Sequence, residues 1–215
     1  MKKKIVAIIP IKKNSKRVKK QNFKTINNKK LYEYLLEKLH QCNFDEIYID
    51  SDSSEIEKYS KKNGFNFIKR KPYLVRDNAN GNDLLNYHSK IIKADLYFQL
   101  FITAPLLSVK TINKCISILK NTKKNDSILT VNEVYSWFWF NNKPVNYYPK
   151  TLPRSQDAKP IVRESTGLYG IKKKALTRYK CRIGKKPFFY KVSEKEAADL
   201  DTELDFKIIK MYMKK

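Results

Sequence analysis

Two stretches of this 215-residue chain carry residue types and spacings that suit phosphate chemistry. The first is Asp199-Leu200-Asp201-Thr202-Glu203-Leu204-Asp205-Phe206, a run rich in carboxylates within a chain whose Lys and Arg number 46 against 21 Asp and Glu. In an extended backbone Asp199 and Asp201 project to the same side, and two adjacent carboxylates suit a hard divalent cation such as Mg²⁺. The same letters also read as a helix start. Thr202 and Asp205 have the spacing of a capping box, and acidic residues stabilise the first turn of an apolar helix carrying Leu204, Ile208, Ile209 and Tyr212. Capping accounts for Thr202 and Asp205 but does not call for Asp199 and Asp201, so both readings stand. The second stretch, residues 10–22, offers Lys12, Lys13, Asn14, Ser15, Lys16, Arg17, Lys19, Lys20 and Asn22. Such a loop can present backbone N–H groups, amide and hydroxyl donors and several cations to a triphosphate, or it can be a solvated Lys-rich turn. It contains no glycine and lacks the P-loop frame.

The elements that must hold these stretches follow from hydrophobic periodicity. Strands are expected over residues 4–9, 46–50, 65–68, 95–101 and 127–134. Helices are expected over 31–39, 54–62 (closed by Asn63-Gly64), 83–92 and 112–119. This alternation argues for an α/β fold, a mostly parallel sheet with helices on both faces. Its ligand crevice lies at the carboxyl ends of the strands, so the loops after Ile9, Asp50 and Phe101 should meet over one site. From Tyr135 the rhythm breaks into aromatic pieces, Trp137-Phe138-Trp139-Phe140 and Tyr147-Tyr148-Pro149, read as a small hairpin excursion within residues 135–160. Strands resume over 168–171 and 188–192, and Lys172-Lys173-Lys174 reads as a solvated face.

Composition sets the frame. The length suits one domain, residues 1–215, with room for a full core. A formal charge of +25 invites a polyanion-binding reading. The excess is mostly Lys spread along the chain, however, while Arg, the residue of bidentate recognition, is scarce, so a nucleic-acid partner is not expected. Cys42, Cys115 and Cys181 are far apart and outline neither a zinc ribbon nor a disulfide framework, which fits a cytoplasmic setting. The apolar run 5–9 is cut off by Pro10, Lys12 and Lys13 at a strand's length, unlike a signal peptide, and no membrane span is expected. His40 follows one helical stretch and His88 sits in another, neither with a Cys or carboxylate at metal spacing, and both read as structural or solvent-facing.

Taken jointly, the motifs resemble those of the acylneuraminate (CMP-sialic acid) cytidylyltransferase family. Ile9-Pro10, Asn14-Ser15-Lys16 and Asn22 are similar to its I-P-A-R-x-x-S-K-x-x-x-x-K-N. Asp52 resembles the end of its S-x-D, and Arg70-Lys71-Pro72 with Asp77 its R-P-x-x-L-x-x-D. Thr103-Ala104-Pro105-Leu106 resembles T-S-P-L, and Asp199 to Asp205 resembles D-I-D-T-x-x-D. Arg154-Ser155-Gln156 and Glu164-Ser165-Thr166-Gly167-Leu168-Tyr169 resemble the R-x-Q and E-T-x-G-x-Y of a broader branch. The order is kept over almost the whole chain.

The resemblance implies a Rossmann-like, GT-A-like nucleotidyltransferase that transfers CMP from CTP to an acidic sugar of the nonulosonic-acid type, with release of pyrophosphate, for a surface glycan. By residue it implies a nucleotide site of Ile11, Lys12, Asn14, Ser15, Lys16, Asn22, Arg70 and Asn80. It implies Mg²⁺ on Asp199 and Asp201, with Lys12 and Lys16 also catalytic, and an acceptor site of Arg154, Gln156, Arg163, Glu164 and Thr166. It further implies a homodimer, with residues 135–160 on the dimer or acceptor side. Lys12 stands where the family pattern has arginine, and Gln21 where it has lysine, a charge that Lys16, Lys19 or Lys20 would have to supply. The pattern's glutamine before T-S-P-L is replaced by Phe101 or displaced to Gln99, either of which changes a cytosine contact. The aromatic run around Trp137 falls where a basic residue is expected for the acceptor's carboxylate. Those departures keep two alternatives in view: a phosphate or phosphonate monoester as acceptor, and a basic nucleic-acid-binding or inactive homologue.

Overall fold

The structure is a computed structural model, and it describes residues 2–14 and 21–213. Strand β1 (Ile5–Ile11) alternates without interruption: Ile5, Ala7, Ile9 and Ile11 enter one core, while Val6 and Ile8 enter another on the opposite face. A strand buried on both faces has no polar side, which is why its letters read as one apolar run. After a 3₁₀ turn (Gln21–Phe23) and a short hairpin of β2 (Thr25–Ile26) and β3 (Lys29–Lys30), α1 (Leu31–Leu39) lays Tyr32, Leu35, Leu36 and Leu39 on the first core.

The chain then runs through β4 (Glu46–Ser51), α2 (Ser54–Lys62), β5 (Asn66–Lys69), the single turn α3 (Pro72–Val75), α4 (Gly81–Ile91), β6 (Leu96–Leu100), α5 (Val109–Asn121) and β7 (Ser127–Val134). An excursion holds the two-stranded β8 (Trp139–Phe140) and β9 (Lys143–Pro144), and it leads to β10 (Ile161–Lys172), α6 (Lys173–Tyr179), β11 (Pro187–Lys191) and α7 (Glu203–Tyr212). Among the described residues, seven strands form the central sheet in the order β11-β7-β10-β6-β1-β4-β5. Strands β6, β1, β4 and β5 are mutually parallel, and β11 is parallel to β7, whereas β10 runs antiparallel to both β6 and β7. The expected α/β fold with a mostly parallel sheet is thus the observed one. Side chains of α1, α2 and α5 fill the first core, and Leu85 of α4 with Ala175 and Leu176 of α6 fill the second, so helices cover both faces.

Three features differ from the sequence expectation. The strand expected over 168–171 is the end of the twelve-residue β10, whose exposed Arg163 and Glu164 hid its first half. Helix α6 was not anticipated, because its two leading lysines, with Lys172 before them, masked the buried Ala175 and Leu176. Lys172 does not lie on a solvated face: its Nζ donates to the Thr122 carbonyl at 2.6 Å, and burial lowers its pKa. No helix among the described residues is long and apolar enough to cross a membrane.

Candidate active site

The carboxyl ends of β1, β4 and β6 come together as a parallel sheet demands. The Lys13 N–H donates to Asp52 Oδ1 at 2.7 Å, which ties the first loop to the end of β4, and the Asn22 amide donates to the Lys12 carbonyl at 2.7 Å. Beside this frame lies a cleft of about 420 Å³ whose lining includes Lys12, Asn14, Asn22, Arg70, Asn80 and Phe101. Five of the eight residues expected at a nucleotide are therefore gathered there. The Ile11 side chain is not: it is fully buried in the core, so its backbone alone can face a ligand. Ser15 and Lys16, like Lys19 and Lys20, lie outside the described residues. Lys12 Nζ pairs with Asp77 Oδ1 at 3.1 Å. The Asn80 side chain accepts from the Asn82 and Asp83 N–H groups and caps α4.

Arg70 is held more firmly than its motif suggests. Its Nε donates to Asp50 Oδ2 at 3.0 Å and an Nη to the Asp50 carbonyl at 3.1 Å, with the guanidinium and carboxylate both buried. His88 Nε2 stands 3.3 Å from the same Asp50 oxygen and is fully buried. A carboxylate partner for His88 was invisible in sequence because it comes from β4, 38 positions away by numbering, and only the packing of α4 on the sheet brings them together. Of the two positions weighed for a base contact, Phe101 lines the cleft, while Gln99 is buried beneath it and donates its amide to the Gly81 carbonyl at 3.0 Å.

A second cleft, of about 520 Å³, is lined by Arg163, Glu164, Thr166, Asp199, Asp201 and Asp205 among others. Asp199 and Asp201 are not in a hydrogen-bonded strand, yet they alternate as strand residues do, flanking the fully buried Leu200. The Leu200 N–H donates to the Thr103 carbonyl at 2.8 Å, and Thr103 also lines the first cleft, so this bond ties the lining of one cleft to the segment that lines the other. The capping reading holds as well. Asp205 Oδ2 accepts from the Thr202 N–H at 2.7 Å and Thr202 Oγ1 from the Asp205 N–H at 3.2 Å, a reciprocal box at the start of α7.

Thr166 is the strained member of this site. It sits in an irregularity of β10 between Glu164 and Tyr169 and has a left-handed φ of 55°, unusual for a β-branched residue. Gly167 follows because an added Cβ would stand 2.9 Å from the Ala104 Cβ. The bulge aims Thr166 Oγ1 at Asp199 Oδ2, 2.5 Å away, with the Ser165 carbonyl at 2.8 Å as the competing acceptor. Backbone strain of this kind clusters at active sites and ligand clamps. The other Asp199 oxygen, Oδ1, is buried with no hydrogen-bond partner. An orphaned carboxylate oxygen beside a second carboxylate fits a hard cation. Among the described residues no group of three or more His, Cys, Asp or Glu could hold a metal, so a cation here would complete its shell with substrate oxygens and water, as Mg²⁺ does. Arg154 and Gln156 are not brought to this cleft: both are exposed on a 3₁₀ turn (Ser155–Asp157), and Arg154 pairs with Asp157 at 2.7 Å.

The family model for cytidylyltransferases matches residues 6–201, which takes in the lining of the first cleft and both Asp199 and Asp201 of the second. The chain belongs to the cytidylyltransferase family. Among curated relatives, N-acylneuraminate cytidylyltransferase A of Danio rerio is 23% identical over 215 residues, covering 95% of this chain and 49% of the relative. Post-translational flagellin modification protein B of Campylobacter coli is 26% identical, covering 93% of this chain and 91% of that protein. A Helicobacter pylori protein named for pseudaminic acid cytidylyltransferase and a UDP-sugar hydrolase is 23% identical, covering 91% of this chain and 40% of its own length. The chain thus spans about half the length or less of two of these relatives. The fold matches a CMP:2-keto-3-deoxy-manno-octonic acid synthetase solved with CTP, with a TM-score of 0.72, 16% identity and 98% of each chain covered. It also matches a 4-diphosphocytidyl-2C-methyl-D-erythritol synthase of Anaerococcus prevotii, with a TM-score of 0.71, 13% identity, and 99% and 97% covered.

Proposed function

We propose that this cytidylyltransferase uses CTP and transfers CMP to an acidic sugar of the nonulosonic-acid type, releasing pyrophosphate in the course of surface-glycan synthesis in the cytoplasm. The observation that carries the reading is the tie between the linings of the two clefts at the Thr103–Leu200 hydrogen bond, with cations and amides on one side and Asp199 and Asp201 on the other. Family membership and the relatives named for sialic and pseudaminic acid support the acceptor class.

In this mechanism an acceptor hydroxyl oxygen bonds to the α-phosphorus, the bond to the bridging oxygen breaks, pyrophosphate departs and the hydroxyl proton passes to solvent water. Lys12, Asn14 and Asn22 bind phosphate oxygens, and the cation of Lys12 offsets charge gathering on the leaving group. Asp50 holds Arg70 in one orientation at the floor of the nucleotide cleft. Asp199 and Asp201 would hold Mg²⁺, which supplies charge neutralisation and alignment of the phosphates when bound. Thr166 fixes the Asp199 carboxylate through Oδ2, which leaves the unpartnered Oδ1 for the cation without rotamer searching. Arg163 and Glu164 line the acceptor side.

The excursion exposes Trp139 by 57% and Phe140 by 70%, and Trp137 and Tyr148 are exposed beside them. Aromatic surface of this kind is costly in water and is enriched at interfaces, which supports a homodimer through residues 135–160. Sedimentation of the wild type as a dimer and of Phe140→Asp as a monomer checks that state.

The test of the activity is pyrophosphate release from CTP and Mg²⁺ across a panel of acidic sugars, phosphosugars and phosphonates, repeated with Asp201→Ala. Turnover with an acidic sugar that collapses in the variant, with circular dichroism unchanged, is the expected result. Turnover with phosphonates only would replace the acceptor. No turnover together with steep salt-dependent binding of DNA or RNA would sink the enzymatic reading.

A further inference from the structure

Arg182, in the loop after α6, belongs to none of the motifs read from the sequence, yet it packs against residues that line the first cleft or bond to one lining the second. Its guanidinium carbon sits 3.7 Å from the centroid of the Tyr169 ring and 5.7 Å from that of Phe101, which lines the nucleotide cleft. One of its nitrogens stands 2.8 Å from where a Cβ on Gly81 would be, and Gly81 lines that same cleft. On the other side the Tyr169 hydroxyl donates to Glu164 Oε2 at 2.6 Å, and Glu164 lines the carboxylate-bearing cleft. Burial and this hydrogen bond hold the Tyr169 phenol well above its ordinary pKa, so the ring stays neutral and keeps donating. The Arg182 backbone is pinned as well, its N–H donating to Asn82 Oδ1 at 2.9 Å.

The guanidinium is thus oriented by two rings and a glycine, but its donors are unused. Among the described residues the Arg182 side chain makes no ion pair and no hydrogen bond, and the residue is partly exposed. A planar fork laid over the Tyr169 ring spends little further conformational entropy when it engages a planar oxyanion, and it engages one through two parallel N–H bonds. The other arginine at the acceptor side, Arg163, donates through its Nε to Asn132 Oδ1 at 3.1 Å.

Resting on the acidic acceptor proposed above, we infer that Arg182 recognises the acceptor's anionic group, a carboxylate or a chemically equivalent phosphonate, and so determines acceptor specificity. It holds that group against the rims of Phe101 and Tyr169. This role explains why Gly81 opens α4: a larger residue there would push the guanidinium off its stack. It also explains why the position facing the cleft at the end of β6 is an aromatic ring, since Phe101 supplies a face for the cation rather than a contact of its own.

The experiment measures pyrophosphate release with the panel acceptor that the wild type turns over, comparing Arg182→Ala and Arg182→Lys, with circular dichroism as the check on folding. Loss of a charge-assisted pair predicts an acceptor KM raised roughly 10- to 100-fold in Arg182→Ala. A smaller rise is expected in Arg182→Lys, with the KM for CTP within about twofold of the wild type in both. The methyl ester of a carboxylate acceptor, or the monomethyl ester of a phosphonate acceptor, should weaken the wild type by the same factor and leave Arg182→Ala indifferent. That loss of additivity is a signature a purely structural role would not produce. Turnover of an anionic acceptor with unchanged acceptor KM in Arg182→Ala, or a rise in the KM for CTP instead, overturns the assignment while leaving the acceptor class standing. Turnover confined to neutral acceptors overturns both.

Discussion

The two halves of the central sheet build their walls of the site in opposite ways. Strands β1, β4 and β6 run parallel, and the wall they make consists of short loops at consecutive strand ends, held by backbone-directed bonds such as Lys13 N–H to Asp52 and the Asn22 amide to the Lys12 carbonyl. The other half carries β10, which runs antiparallel to both its neighbours while β7 and β11 keep the parallel sense, and its wall comes from a bulge inside that one long strand and from residues 199–205, far along the chain. Loops at parallel strand ends hold a common phosphate-bearing group with little dependence on the rest of the molecule. A bulged strand facing a distant segment can change its cargo without disturbing them. On the proposed reading the loops at the parallel strand ends hold the nucleotide, and the wall of Arg163, Glu164, Thr166 and the neighbouring Arg182 would be where an acceptor is chosen.

Four perturbations bear on that contrast. The largest effect is expected where the halves meet. Asp199→Ala removes the carboxylate whose Oδ1 is unpartnered, and turnover of CTP should fall roughly 10²- to 10³-fold with the fold retained, as read by pyrophosphate release and circular dichroism. A similar loss on chelation by EDTA, reversed by added Mg²⁺, checks the proposed cation, and full activity in EDTA would remove it. Within the parallel half, Arg70→Met leaves Asp50 buried without its cation. Denaturant unfolding should show a loss of about 3–5 kcal/mol, and a loss under about 1 kcal/mol would mean that the half relaxes around the site rather than holding it rigidly.

Thr166→Gly separates stability from function in the half that carries β10. Glycine accepts the positive φ without the steric cost, of about 1–2 kcal/mol, borne by an ordinary residue, so Tm should hold or rise. Activity should nevertheless drop about tenfold, because Asp199 loses the Thr166 hydroxyl. Equal losses of both would mean that the bulge serves the fold alone. The smallest effect belongs to the edge remote from the site, where the Ile5 N–H donates to Asp45 Oδ2 at 2.8 Å. That bond, aided by Lys2, lowers the Asp45 pKa below its ordinary value. A carboxylate whose folded pKa is depressed contributes stability above its unfolded pKa of about 3.9, and loses that contribution as pH falls through the lower folded value. Between pH 4 and pH 2 the Asp45→Asn variant should therefore lose less Tm than the wild type, and parallel curves would show that the bond carries no linkage.

Sequence legibility divides along the same line. Helices α1 and α2 and strand β7 were read with their observed ends, because apolar spacing and an Asn-Gly stop are local signals that tertiary contacts reinforce here. The capping box of Thr202 and Asp205 was legible for the same reason, being complete within four residues. The nucleotide residues Lys12, Asn14, Asn22, Arg70 and Asn80 could be named from the resemblance, and parallel topology then brings them to one cleft. Arg154 and Gln156 were named on the same grounds, but the 3₁₀ turn that carries them leaves both exposed, away from Arg163 and Glu164.

By itself the sequence determined the α/β rhythm, the two chemically loaded stretches and the alternation that sends Asp199 and Asp201 to one side of Leu200. All of these depend on residues within a turn or a strand's length of each other. Tertiary structure alone decided that β10 runs antiparallel and bulges at Thr166, that Asp50 joins Arg70 to His88, and that Arg182 rests on Tyr169 beside Gly81. Those contacts join residues that are distant along the chain, and no local propensity encodes such a meeting. It follows from burying both faces of one sheet at once.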